Sequence, residues 1–131
     1  MIAEINKLTD VEIEEMKKWD AETVARQKEF ESKLLTPEGQ AANMAEAAGV
    51  FGKHANANGL LTLAEFQSFA SEHAEIRAKR NEPDTPQSPE KNEQWYNVTN
   101  KVNPGTDGVT LTEIAIVLNC SYNYLKVQMP Q

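Results

Sequence analysis

Cysteine is almost missing from this sequence. Cys120 stands alone, so no internal disulfide can form and no cysteine cage for zinc can be assembled. A small apolar side chain packed in a core is the role expected for that thiol. Basic residues are also scarce, 13 against 20 acidic ones, for a formal net charge of -7. Such a field repels phosphate backbones and anionic lipid surfaces, which argues against a nucleic-acid partner. Long apolar runs are lacking too, and no stretch approaches the length needed to cross a bilayer, so no membrane insertion is expected. The first twenty residues carry charges throughout and lack the apolar core of a secretory signal, which sets the expectation of a cytoplasmic protein. In that compartment the triplet Asn97-Val98-Thr99 is a chance match to a glycosylation site. No serine, cysteine or histidine arrangement resembles a nucleophile with its base, and no Gly-rich loop follows a strand signal, so no enzyme is expected.

What is present is mostly helical. With 131 residues, one domain with an appended helix is the starting assumption. Residues 9–35 are rich in Glu, Lys, Ala and Arg and contain no Gly or Pro, which predicts one long N-terminal helix capped by Thr9 or Asp10. Glu14 with Lys18, Glu22 with Arg26, and Glu29 with Lys33 place each acid four residues before its base, the favourable order on a helix surface. Thr36-Pro37 then reads as a cap followed by a first helical turn. A helix over 37–53 with Met44, Ala47, Ala48 and Phe51 on one face follows, and another runs from the end of the next loop to about residue 80. Between 81 and 92 stand Pro83, Pro86 and Pro89 among polar residues, the composition of an extended linker, with Thr85-Pro86 and Ser88-Pro89 as formal phosphorylation sites. Two further helices are predicted at 93–101 and 111–118. Phe51, Phe66, Phe69, Trp95 and Ile114 fall at helical spacing and are expected in the core. His73 is expected as a solvated surface residue.

The loop at 54–65 carries the chemistry. Asn56, Asn58 and Thr62 offer side-chain oxygens, Leu60 a backbone carbonyl, and Glu65 the only carboxylate. Gly59 stands where, in the family this stretch resembles, the chain bends sharply and takes a positive φ. Leu61, Glu65, Phe66, Phe69 and Ala70 recur as Val109, Glu113, Ile114, Val117 and Leu118 at one constant spacing, the mark of an internal repeat. This pattern resembles the EF-hand, a helix-loop-helix with oxygen ligands at alternate early positions, Gly at the sixth and Glu at the twelfth.

The resemblance implies an all-α fold of paired EF-hands over 37–131, joined by a short antiparallel contact at Leu61 and Val109 and preceded by the helical extension at 1–36. It implies a calmodulin-like calcium site formed by His54, Asn56, Asn58, Leu60, Thr62 and Glu65. A second, enlarged loop contributes Asn103, Asp107 and Glu113. His54 stands where the family has Asp, and imidazole suits a hard cation poorly. With one acid per loop, affinity is expected between roughly a hundred micromolar and millimolar. The family further implies a target protein or amphipathic helix as partner. The other reading is an interaction module that has lost its metal, its groove filled by the N-terminal helix of the same chain.

Overall fold

The computed structural model describes residues 2–82, 88–102 and 107–128, with side chains through Leu125. Six helices form the regular structure of these residues: α1 (Ile2–Met16), α2 (Ala21–Leu34), α3 (Pro37–His54), α4 (Leu63–Lys79), α5 (Pro89–Asn100) and α6 (Leu111–Gln128). Pro83, Thr85, Pro86, Asn103, Pro104, Gly105 and Thr106 lie outside the described residues.

The single long N-terminal helix is corrected to two. Thr9 does not cap a helix. It sits inside α1, where its hydroxyl donates to the Ile5 carbonyl at 2.9 Å, a common way for a mid-helix threonine to satisfy itself. The break comes at Asp20, whose extended backbone and carboxylate, accepting from the Thr23 N–H at 2.8 Å, start α2 afresh. Of the three predicted surface pairs, Glu29 and Lys33 meet at 3.2 Å. Glu14 bonds Lys17 instead at 2.7 Å, and Arg26 reaches across to the side chain of Asn81 at 3.0 Å. Exposed pairs of this kind contribute little, about 0.2–1 kcal/mol each.

The next corner forms where the sequence places it. Thr36 accepts from the Gly39 N–H at 3.0 Å and Pro37 opens α3. The predicted linker at 81–92 is corrected at its end: Ser88 caps α5 by accepting from the Lys91 N–H at 3.1 Å, and Pro89 occupies the first turn. Ser88-Pro89 is therefore a helix start, and Lys91 and Asn92 are buried rather than solvated.

Burial sorts the chain into two connected clusters. One gathers Ala47, Val50, Phe51, Leu61, Phe66, Phe69, Val109 and Ile114 from α3, α4, α6 and the loops between them. The other joins Ile5 of α1 to Val98 of α5 and Val117 of α6, with Cys120 packed against it. Trp95 touches both. α1 thus packs on α5 and α6, while α2 packs on α3. Polar clamps hold α1 down: Glu12 accepts from the Trp95 indole N–H at 3.1 Å, Lys91 lies between both oxygens of Glu15 at 3.0 and 3.2 Å, and Lys101 reaches Glu4 at 3.0 Å. No described helix is long and apolar enough to cross a membrane.

Candidate functional site

Two loops face each other at one end of the helices. The first, between α3 and α4, is stitched by its own backbone. Gly59 takes φ +74°, a left-handed conformation that side chains with a Cβ adopt only at a cost. The Gly59 N–H donates to the Asn56 carbonyl at 3.0 Å, and the Asn56 N–H to the Leu60 carbonyl at 2.9 Å. The Asn56 side-chain oxygen accepts twice, from the N–H groups of Asn58 at 2.9 Å and Leu60 at 3.2 Å. Thr62 starts α4, and the Glu65 carboxylate reaches back to accept from the Thr62 N–H at 2.9 Å.

Around the second loop the described residues are Lys101, Val102 and residues 107–110. Thr110 and Glu113 close a full reciprocal box. Glu113 accepts from the Thr110 N–H at 2.9 Å and from its hydroxyl at 3.1 Å, while the Glu113 N–H donates to that hydroxyl at 3.2 Å. Glu113 is only 2 % exposed. A carboxylate can be buried this deeply because several donors satisfy it.

The loops join at Leu61 and Val109, both fully buried, which exchange antiparallel backbone hydrogen bonds at 2.9 and 2.8 Å. Gly108 permits the approach, since a Cβ there would lie 2.7 Å from the Leu61 carbonyl oxygen.

The expected site residues therefore divide. Asn56, Asn58, Leu60, Thr62 and Glu65 lie together in or beside one turn. His54 does not join them: it ends α3, and its imidazole Nε2 lies 3.4 Å from the Glu72 carboxylate, against α4. Asp107 is exposed, and Asn103 falls outside the described residues. His73 is corrected from a solvated residue to a half-buried one, its Nε2 3.0 Å from Glu46 of α3. Burial pushes the Glu46 carboxyl up, but the Arg80 guanidinium and His73 beside it outweigh that and hold it below its usual value. The capping role of the two glutamates was not among the expectations. Thr62-x-x-Glu65 and Thr110-x-x-Glu113 both have the Thr-x-x-Glu spacing of a capping box, and that signal was in plain view.

Held against calcium, the first loop fits weakly. Its donors are all oxygens, as a hard cation requires. Yet Asn56, the Leu60 carbonyl and Glu65 already accept backbone N–H groups, leaving their remaining lone pairs for a metal. No cluster of three or more His, Cys, Asp or Glu side chains forms among the described residues. The described part of the second loop does not fit, because Glu113 is enclosed by Thr110 and Val102 has no side-chain oxygen. Comparison of the chain with protein-family models, with curated proteins and with solved structures gives no match in any of the three.

Proposed function

We propose that this chain is a divergent EF-hand-type intracellular binding protein, in which the first loop is a low-affinity calcium site and the second is a structural brace. The observation that carries this reading is the positive φ of Gly59 at the sixth position of a helix-loop-helix whose partner loop meets it through Leu61 and Val109. Asn56, Asn58, Leu60, Thr62 and Glu65 would hold the ion. Glu65 would divide its carboxylate between the Thr62 N–H and the metal, which supplies charge that orders the loop. In the enlarged second loop only Asp107, Asn103 and a released Glu113 would be available, so its contribution is structural.

Calorimetric titration of the metal-free protein, with amide spectra recorded alongside, tests this. A saturable response with Kd between about 0.1 and 1 mM is expected, with the Asn58 and Gly59 amides shifting most. Glu65→Gln should abolish that response while sparing the fold, because glutamine serves a capping box nearly as well. Retention of binding by Glu65→Gln would remove Glu65 from the site.

A second reading is supported by the loops being closed by their own hydrogen bonds and by α1 lying on α5 and α6. In this reading the chain is a metal-free interaction module that holds its own N-terminal helices where a target helix would dock. Absence of heat and of amide shifts at millimolar calcium would leave this one.

A further inference from the structure

α2 forms one wall of a half-open groove of about 270 Å3, sharing through Phe30 and Leu34 a lining that includes Phe66, Phe69 and Ile114. Close-packed helices leave few voids larger than a water molecule between them, so α2 covers these apolar residues without being locked onto them. The inner side of α2 is also partly polar. Gln27 and Glu31, one turn apart, line the same groove and are 8 % and 4 % exposed. The Gln27 amide donates to the Glu31 carboxylate at 2.6 Å, while Gln27 Oε1 is buried with no partner. A polar pair satisfied only in part holds a helix down less firmly than apolar side chains would.

The charges around Glu31 are committed elsewhere. From α1, Glu12 lines the groove and accepts from the Trp95 indole. From α3, Glu46 is taken up by His73 and Arg80 of α4. The Arg77 guanidinium of α4 stands 4.8 Å over the Phe30 ring and 3.9 Å from Glu82. From α6, the Tyr122 hydroxyl bonds Asn43, and α5 brings no titratable group to the groove lining. On α2 itself Arg26 turns to Asn81 and Lys33 to Glu29. An ionised Glu31 is therefore a buried charge with no cation assigned to it, and burial pushes its carboxyl above the usual value.

We propose that Glu31 is a proton-operated latch: in its neutral form α2 closes the groove, and on ionisation α2 is released and Phe66, Phe69 and Ile114 are uncovered. The latch deepens the second reading above, in which the N-terminal helices occupy a docking face, by naming what frees that face. It is independent of calcium in the first loop.

Amide hydrogen exchange of the full chain at pH 5 and pH 7.5, corrected for the intrinsic effect of pH, tests the latch, with the neutral dye Nile red reporting apolar surface. The α2 amides should open about tenfold more often at pH 7.5, the change expected for one unit of pKa shift, while α4 and α6 stay protected and dye emission rises. Glu31→Gln should keep α2 protected and the dye dim at both values. Equal protection of α2 at the two values, parallel loosening of α4 and α6, or a pH response that survives in Glu31→Gln would each overturn the latch. The wild-type comparison of α2 with α4 and α6 decides even if the variant fails to fold. Neither readout uses calcium or a target, so failure of the latch is separable from failure of the docking reading.

Discussion

Glu31 is the residue whose chemistry is most at odds with its surroundings. It lies beside Gln27 of the same helix, 4 % exposed. Burial pushes its carboxyl above the usual value, and the hydrogen bond from Gln27 reverses that only in part. Between the unfolded value and the raised folded one, the folded chain holds a proton that the unfolded chain has lost. Stability from this group is therefore complete below the unfolded glutamate pKa of about 4.3 and declines as pH rises through the folded value. Glu31→Gln keeps an acceptor for Gln27 and removes the charge. It should raise the melting temperature at pH 7 and flatten its fall between acidic and neutral pH, as followed by circular dichroism. A variant melting below the wild type at pH 7 would show that the carboxylate is better accommodated than its burial suggests.

Helix ends decide most of the local architecture at the scale of elements. Asp20, Thr36 and Ser88 each accept an N–H from the first turn of the helix they open. Thr62 and Thr110 open the two helices that leave the loops, tied back by Glu65 and Glu113. Because the Thr110 hydroxyl both accepts from and donates to Glu113, Thr110→Ala should cost about 0.5–2 kcal/mol in urea denaturation. Gly108→Ala attacks the loop pair itself. Its new methyl group would meet the Leu61 carbonyl oxygen at 2.7 Å, and neither backbone can yield without breaking the Leu61 and Val109 bonds. Destabilisation of about 1–3 kcal/mol, with loss of slow amide exchange at Leu61 and Val109, is expected. Unchanged exchange at both would mean that the loops tolerate separation.

The whole molecule depends on α1 docking into the same core as the helices that follow it. Ile5 is fully buried against Val98 and Val117, so Ile5→Ala should cost about 2–5 kcal/mol. Since Trp95 spans both clusters and bonds Glu12, tryptophan fluorescence and helical signal should be lost together in one transition. Two separated transitions in the wild type would indicate that the N-terminal helices melt on their own.

The sequence by itself determined the local choices: the Thr36-Pro37 corner, the bend at Gly59, the repeat from Leu61 to Leu118, and the core placement of Phe51, Phe66, Phe69 and Ile114. Each follows from a cap, a backbone preference or a helical period acting over a few residues. The start of α2 at Asp20 and of α5 at Ser88, and the capping by Glu65 and Glu113, are written in equally short signals, which the composition of the wider segments masks. Only the tertiary structure decided where His54 and His73 turn and which helices α1 lies on. Those outcomes depend on which distant surfaces meet. An apolar stripe states that a face will be buried, but its partner is fixed by the packing of all the helices at once.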